Sequence, residues 1–388
     1  MKSRGVHLQY SFEATDQRGA LLHNPLFDLL TAVHESGSIQ HAAKALGASY
    51  RHIWGQLKRW EAVMGEPLVT WAQGQPARLT PFADRLLWAE TRARTRLTPH
   101  IEALRAELER VLADALDGTQ HVLTMFASHD LALPLLRDLA SGPAGLHIDL
   151  RFAGSVDALR ALAQGRCLVA GFHVPPLRGG SALFAQALKP LLKPGLHKLI
   201  GCLRRKQGLM VRPGNPLRLR GLPDLATPAM PAASGMAAST ARFVNRQPGS
   251  GTRLLMDHLL AEHAIDPAGI AGYFDAPEDS HLAVAAAVAS GAADVGPGIE
   301  AAARQFGLDF VPLVAEDDYL VCLKDALDHP AVAKLRQALD SPAWPQALQG
   351  LPGYSPAHSG QVLSLVQALP WWHFKLPRPG PIKTRAAD

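Results

Sequence analysis

The segment from Arg242 to Arg253 (RFVNRQPGSGTR) restricts the possible folds of this chain more than any other feature. Its apolar start predicts a strand, and Pro248, Gly249 and Gly251 predict a tight turn before leucines at helical spacing. A helix that begins at such a turn presents unpaired backbone N–H groups, and its dipole favours an anion. The segment therefore predicts a small-anion site. An ordinary strand-to-helix turn with solvated arginines is the alternative.

Side chains of the same segment add donors to the backbone. Two hydroxyl residues follow the turn, and two arginines flank it, so that charge and hydrogen bonds are available together. The candidate ligand residues here are Asn245, Arg246, Gly249, Ser250, Gly251, Thr252 and Arg253.

Length and composition indicate a multidomain intracellular protein. A chain of 388 residues exceeds one ordinary core, so two or three domains are expected. Its three cysteines are scattered without a CxxC pair, which argues against a disulfide framework or structural zinc and fits a reducing cytoplasm. No apolar run is long enough to span a bilayer. The net charge of +5 permits nucleic-acid binding without requiring it.

Residues 24–64 have the pattern of three short helices. The first covers residues 24–36 with Asn24 as its cap, the second begins after Ser38 and ends at Leu46, and the third begins after Ser49 and ends near Met64. Apolar residues of the third helix fall on one face and polar, basic and aromatic residues on the other. Candidate DNA-contacting residues on that outer face are Ser49, Tyr50, Arg51, His52, Gln56, Lys58 and Arg59.

A β-hairpin follows these helices, with strand-like residues 67–71 and 77–79 joined through a Gly- and Pro-containing turn. Two short helices joined through a glycine, a third with a basic face, and a hairpin predict a winged helix-turn-helix over residues 1–80. A small helical bundle with a solvated polar face is the alternative.

Residues 24–90 resemble the winged helix-turn-helix of LysR-type regulators and, more closely, that of ModE-like molybdate-responsive regulators. The matching motifs are Glu35–Ile39, Ala42–Leu46, Ser49–Trp54 and Leu79–Pro81. The wing is shorter than the Gly-rich wing of ModE-like proteins. The resemblance implies a DNA-binding domain whose partner is double-stranded DNA.

Residues 81–117 predict one long linker helix. Leu97, Ile101, Leu104, Leu108 and Val111 alternate at spacings of four and three, as in a coiled-coil seam with charged residues outside it. The pattern predicts a homodimer joined through this helix. Packing of the seam against the same chain is the alternative.

The C-terminal two thirds alternate between strand and helix patterns. Strands at 122–127, 147–152 and 168–172 enclose helices at 131–139 and 156–164, which predicts a parallel α/β sheet. Ligands in such sheets lie at the carboxyl ends of the strands. Ser128, His129 and Ser155 occupy two loops at these ends, so they join the candidate ligand residues.

Further strands are predicted on both sides of Arg204–Gly208, at 310–314 and at 317–323, with a capping helix at 330–339. The last strand returns the chain to the first lobe, so residues 118–355 predict a two-lobed type II periplasmic-binding-protein fold. A flexible insertion at 226–241 and a C-terminal tail at 356–388 are expected. The overall fold class is α/β, preceded by the mainly helical winged domain and the linker helix.

Residues 120–355 resemble the PBP-like domain attached to ModE-type helix-turn-helix domains and to molybdopterin-biosynthesis proteins. The motifs are Phe243–Arg253, Val288–Gly296, His329–Val332 and Leu351–Tyr354. The resemblance implies a sensor of a small molecule such as molybdate, tungstate or a related molybdenum species.

These patterns favour a one-component transcription regulator over an enzyme of molybdenum-cofactor synthesis or a protein-interaction platform. GSGTR lacks the lysine of a phosphate-binding Walker A loop, and no GxSxG elbow or metal-ligand cluster appears, so no enzyme activity, cofactor or metal is predicted. A regulator that senses an organic ligand remains an alternative. The scattered carboxylates Asp130, Asp294, Glu316 and Asp317 are interpreted as structural or hinge residues.

Overall fold

The computed structural model describes residues 24–71, 76–116, 121–142, 145–176, 182–226 and 241–372. They belong to two compact units, one within residues 1–83 and the other within residues 84–388. The predicted fold class is confirmed, because a helical domain with a hairpin precedes a two-lobed α/β domain.

The first unit contains three helices and a two-stranded hairpin, as predicted. Asn24, Ser38 and Ser49 each cap a helix by accepting a backbone N–H within the first turn. Each cap contributes about 1 kcal/mol to helix stability. The elements are α1 (Pro25–Ser36), α2 (Ile39–Ala45), α3 (Tyr50–Met64), β1 (Val69–Thr70) and β2 (Arg78–Leu79).

Apolar side chains from all three helices form the core of this unit. Val33, Ala42 and Leu57 are almost fully buried together, because the small alanines let α2 approach its neighbours closely. Trp60 and Met64 continue the apolar spacing of Ile53 and Leu57, but they are only half-buried. The core is therefore concentrated at the N-terminal half of α3.

The second unit begins within a long helix and continues with alternating strands and helices. Its elements are α4 (Pro81–Leu116), β3 (His121–Ala127), α5 (Leu133–Ser141), β4 (Leu146–Phe152), α6 (Ser155–Ala163), β5 (Val169–Val174), α7 (Ala182–Leu188), β6 (His197–Val211), α8 (Pro223–Ala226), α9 (Gly251–Glu262), α10 (His281–Ala289), β7 (Val295–Ile299), α11 (Glu300–Gln305), β8 (Asp309–Leu323), α12 (Pro330–Asp340), α13 (Ala343–Gln349), β9 (Tyr354–Pro356), β10 (Val362–Leu363) and α14 (Leu365–Ala368), with 3₁₀ turns at Pro267–Gly269, Lys324–Asp328 and Pro370–Trp372.

Strands β6 and β8 connect the two lobes. They pair antiparallel along their whole length, from His197 opposite Leu323 to Val211 opposite Asp309. At one end β8 pairs with β5, which lies beside the parallel pair β3 and β4 in the first lobe. At the other end β6 pairs with β7 in the second lobe. The predicted parallel arrangement of β3, β4 and β5 is confirmed.

Each lobe has its own cores on the two faces of the sheet. In the first lobe α5, α12 and α13 cover one face, where Trp344 is fully buried and donates its indole N–H to the Cys202 carbonyl at 3.1 Å. Helices α6 and α7 cover the other face. In the second lobe α9 and α10 contribute to two smaller cores. The polar residues between the lobes lie outside these apolar cores.

Two sequence expectations for strands were wrong. The polar run Arg204–Gly208 does not interrupt a strand, because β6 continues through it with Arg205 and Gln207 buried and hydrogen-bonded. The predicted strands at 310–314 and 317–323 are likewise one strand, β8.

The residues before the Gly-rich turn also differ from expectation. They make only isolated bridges, Phe243 with Val295 and Arg246 with Glu278. Most of the predicted insertion, the tip of the hairpin and residues 117–120 lie outside the described residues. The tail up to residue 372 continues the sheet, since β9 and β10 both pair with β6.

Candidate functional site

The candidate DNA-contacting residues lie at the start of α3 and along its solvent-facing side, and the structure leaves most of them exposed. Gln56 is half-buried and the other six are exposed: Ser49, Tyr50, Arg51, His52, Lys58 and Arg59. Ser49 also caps the helix, so the unpaired backbone donors of the first turn lie on the same surface. This surface has the donors and cations that contact bases and phosphates.

An aromatic cluster supports this surface from the side. Tyr50 stacks on Trp54 with 6.4 Å between ring centroids, and Trp71 of the hairpin meets Trp54 edge-on at 5.6 Å. Lys58 lies 4.8 Å above the Trp54 ring and pairs with Glu61 at 2.7 Å. The hairpin is therefore fixed to α3 by rings, and the Lys58 ammonium is partly engaged within the domain.

Helix α4 exposes an apolar stripe and contacts both lobes through charged side chains. Leu97, Leu104 and Val111, spaced by seven, are 37%, 50% and 53% exposed, while the intervening seam residues are half-buried. On other faces, Arg96 makes a two-pronged ion pair with Glu278 of the second lobe, at 2.5 and 2.8 Å. Glu102 accepts a hydrogen bond from Arg137 of the first lobe at 2.7 Å.

The Gly-rich turn faces the first lobe at very short range. A Cβ on Gly154 would lie 2.6 Å from the Gly249 carbonyl oxygen, and one on Gly251 would lie 2.8 Å from the Ser155 hydroxyl. Gly249 itself has φ +85°, a conformation that glycine adopts without strain. The structure thus brings together the loops that begin α6 and α9, as the sequence predicted for a site shared by both lobes.

Hydroxyl groups in these loops have different roles. Ser250 caps α9 by accepting the Arg253 N–H at 3.1 Å, and it donates to the Gln247 carbonyl at 2.9 Å. Thr252 accepts from the Gln207 amide at 3.0 Å, which leaves its own O–H available as a donor. The Ser155 oxygen is buried and has no hydrogen-bond partner among the described residues.

The two candidate arginines differ in their surroundings. Arg246 is 1% exposed, and its hydrogen bonds go to the carbonyl oxygens of Glu278 and Asp279. Its Nη1 has no hydrogen-bond partner among the described residues. Arg253 pairs instead with Asp257 at 3.0 Å and lies 4.7 Å from the Tyr273 ring. Only Arg246 therefore offers unsatisfied positive charge to a ligand.

Asn245 and Ser128 are both buried. Asn245 accepts the Arg246 N–H at 2.8 Å and donates to the Tyr273 carbonyl at 3.2 Å, so its amide orients the loop. Ser128 follows β3 and is 4% exposed. His129, the next residue, packs against Phe152 with 4.8 Å between ring centroids.

Sequence reasoning missed the polar residues that the long strands contribute. Arg205 of β6 is fully buried between two carboxylates: it donates to Asp130 and, at 2.6 Å, to Glu316 of β8. Tyr354 donates to Asp130 at 2.9 Å, and Gln207 to Glu316 at 2.9 Å. Arg205 thus ties both hinge strands to the first lobe.

Each of the four carboxylates that the sequence analysis interpreted as structural pairs with an arginine. Asp130 and Glu316 hold Arg205, Asp317 pairs with Arg204 at 2.6 Å, and Asp294 pairs with Arg242 at 2.9 Å.

Two more histidines, also absent from the sequence-based set, complete the site. His173 of β5 and His281 at the start of α10 are 2% and 0% exposed, and neither ring has a hydrogen-bond partner among the described residues. His173 lies between apolar strand residues, and His281 follows the Ser280 cap. Neither position has a local sequence signal, because only the meeting of β5, β8 and α10 places them together.

Burial controls the protonation of these groups. Burial, followed by the Arg246 charge, lowers the pKa of His129 to about 4. Burial and the two arginines hold the pKa values of His173 and His281 well below their usual range. Burial and the neighbouring Arg205 lower the pKa of Arg246 to about 10. Burial, together with the nearby carboxylate of Asp130, raises the pKa of Asp318 well above its usual range. Three imidazoles with lowered pKa values therefore lie within electrostatic range of Arg246. The carboxylates of Asp279, Glu316 and Glu278 raise the pKa of Arg246, but the hydrogen bonds of its guanidinium go to backbone carbonyls.

Within the ranges that the structure describes, no three His, Cys, Asp or Glu side chains are placed to hold a metal ion. No helix in these ranges is long and apolar enough to cross a membrane.

Two family descriptions match the chain. Residues 136–340 match the PBP superfamily domain, and residues 26–84 match the bacterial regulatory helix-turn-helix protein, lysR family. The uncharacterized protein YvgK of Bacillus subtilis (strain 168) is 32% identical over 247 residues, covering 64% of this chain and 75% of that protein. An uncharacterized protein in the ferredoxin 2Fe-2S gene 5′ region of Clostridium pasteurianum is 35% identical over 112 residues, covering 29% and 98%.

Solved structures of full-length regulators are similar at low identity. Full-length BenM has 15% identity and a TM-score of 0.41, covering 84% of this chain and 98% of that chain. CbnR complexed with its target DNA has 17% identity and a TM-score of 0.36, covering 81% and 96%.

Proposed function

We propose that this chain senses a small oxyanion between its two lobes. The chain belongs to the family described as the PBP superfamily domain, and it is a LysR-type DNA-binding transcription regulator. Molybdate and tungstate are the first candidates, and an organic anion is the alternative ligand. No cofactor is part of the proposal. Because its partner is DNA, we expect the protein to act in the cytoplasm.

The observation that carries the proposal is the buried Arg246 guanidinium. Its partners are backbone carbonyls, whereas Arg205 nearby has two carboxylates. Burying a charge without an ion-pair partner is costly, and burial together with the Arg205 charge lowers the pKa of Arg246 to about 10. A bound anion would supply the missing negative charge.

Donors around Arg246 suit an oxyanion. The helices α6, α9 and α10 all begin beside the site and add N–H groups and a positive dipole end. Ser155 and Thr252 add hydroxyl donors from opposite lobes. A fully ionised oxyanion has only acceptors, so converging donors with little side-chain bulk favour it. Ser128, His129 and Gly251 complete the proposed wall, and Ser250, Gly249 and Asn245 shape it; Arg253, paired with Asp257, is left out.

Isothermal titration with molybdate, tungstate, sulfate and phosphate tests the ligand. Arg246→Gln is expected to weaken binding, because a hydrogen bond to a charged group contributes about 1.5–3 kcal/mol, or roughly 10- to 150-fold in Kd. Arg253→Gln is the matched control and should bind as the parent does. If the parent binds none of these oxyanions, the ligand class is wrong.

The output of the proposed sensor is DNA binding by α3 in the major groove. A dimer through the α4 stripe would present two reading heads to paired half-sites. Ligand bound to both lobes favours the closed arrangement by the difference in its affinity for the two states. Helix α4 contacts one lobe through Arg96 and the other through Glu102, so lobe closure would act directly on the helix that leads to α3.

A further inference from the structure

We propose that His129, His173 and His281 are ligand-contacting residues and that the site binds a dianionic oxyanion together with at least one proton, taken up by these rings. This inference rests on the proposed function, since it assumes that the ligand is an anion at Arg246. It adds His173 and His281 to the proposed binding residues, gives His129 a role in proton uptake, and narrows the ligand class to oxyanions with two negative charges.

The first argument is the hydrogen-bonding inventory of the rings. Both ring nitrogens of His173 and His281, and Nδ1 of His129, are buried without a hydrogen-bond partner among the described residues. A neutral imidazole has one donor and one acceptor nitrogen, whereas an imidazolium has two donors. An ionised oxyanion accepts only, so an acceptor nitrogen facing it stays unsatisfied until the ring gains a proton. Leaving such a group unsatisfied costs about 1–3 kcal/mol.

The second argument is the charge of the surroundings. From β6, Arg205 faces the rings but is already paired with Asp130 and Glu316. From β8, the Asp318 carboxyl lies 3.5 Å from His173 Nδ1, and burial raises its pKa well above the usual range. From the second lobe and from β8, the carboxylates of Asp279, Glu278 and Glu316 act on Arg246 electrostatically, although its hydrogen bonds go to backbone carbonyls. A dianion would leave one negative charge unmatched in a buried site, and a protonated histidine would supply the balance.

The same groups determine the pH dependence. Without an anion, burial and the two arginines oppose the charged form of each ring, and His281 is additionally opposed by His129 and His173. A bound dianion reverses the sign of the local field and raises the pKa of the rings. Between the low pKa of the free protein and the higher pKa of the complex, binding takes up a proton. Affinity should therefore increase as the pH falls through that window.

Calorimetric titration of the full chain with molybdate between pH 6.5 and 8 tests the inference, because molybdate stays a dianion throughout. The binding heat should change between two buffers of different ionisation enthalpy, by an amount that corresponds to about one proton taken up. The Kd should fall by up to about tenfold for each unit by which the pH is lowered, as linkage requires for one proton. Tungstate should behave in the same way.

Substitutions assign the proton to individual rings. His129→Gln, His173→Gln and His281→Gln each keep an amide donor but cannot be protonated, so at least one should reduce proton uptake while binding persists. His263→Gln, on the exposed end of α9, is the control and should leave proton uptake unchanged. Binding of the parent with no proton uptake and a pH-independent Kd overturns this inference alone. Absence of binding by either ion overturns the proposed function and this inference together.

Discussion

Removing the Arg96 side chain should separate ligand binding from DNA binding. Arg96 forms a two-pronged ion pair with Glu278, whose backbone carbonyl accepts a hydrogen bond from Arg246 at 3.3 Å. A ligand that moves Arg246 would therefore also move Glu278, which Arg96 of α4 contacts. In Arg96→Gln this path is weakened, while every group that contacts the proposed anion is retained.

The size of the effect follows from burial. The Arg96 side chain is 56% exposed and that of Glu278 only 6%, so the pair lies between a surface pair, at about 0.2–1 kcal/mol, and a buried one. Hydrogen bonds to charged groups contribute about 1.5–3 kcal/mol. We expect a loss of about 1–2 kcal/mol of coupling, or roughly 5- to 30-fold in the ratio of DNA affinities with and without ligand.

The assay is fluorescence anisotropy of an operator fragment, titrated with protein in the presence and absence of saturating molybdate. Arg94→Gln is the matched control, since Arg94 lies on the same helix and contacts Glu90 of that helix at 3.7 Å. The calorimetric Kd of Arg96→Gln for molybdate, measured without DNA, should stay within about threefold of the parent. If the ratio of DNA affinities is the same in Arg96→Gln and the parent, the Arg96–Glu278 pair does not transmit the signal.

Three further predictions concern the remaining parts of the molecule. Replacing both Leu104 and Leu108 with Asp should yield monomers in analytical ultracentrifugation, because charge would enter the apolar seam of α4. Leu104→Met should remain dimeric. A dimer that persists with both aspartates has its interface elsewhere. If the Arg51 side chain binds a base, Arg51→Ala should weaken operator binding by about 1–3 kcal/mol and relax specificity at that base. Competition with altered operators would measure this loss of specificity. Equal losses of affinity on every sequence would instead mean a phosphate contact. Arg205→Leu should lower the free energy of unfolding by about 3–5 kcal/mol in urea titrations, because Asp130 and Glu316 would stay buried without their partner; an unchanged midpoint would contradict the hinge role.

The local chemistry of the sequence was sufficient for the first unit. Asn24, Ser38 and Ser49 cap helices where their side chains can accept a hydrogen bond, and the apolar spacing of α1 and α3 matches the helical period. These signals come from residues within one turn of each other, so they need no tertiary partner. The same reasoning identified the start of α9 at the Gly-rich turn and the parallel arrangement of β3, β4 and β5.

The binding site depended on contacts between residues far apart in the chain. Arg204–Gly208 has the local pattern of a loop, and only the carboxylates of Asp130 and Glu316 make a buried arginine stable inside a strand. Arg246 and Arg253 are indistinguishable by sequence, yet Asp257 neutralises one and the fold leaves the other without a carboxylate partner. His173 and His281 join the site because β5 and α10 converge on it. Sequence thus determined the helices and caps of the first unit, whereas tertiary structure decided which charges are paired, because pairing depends on distance in space.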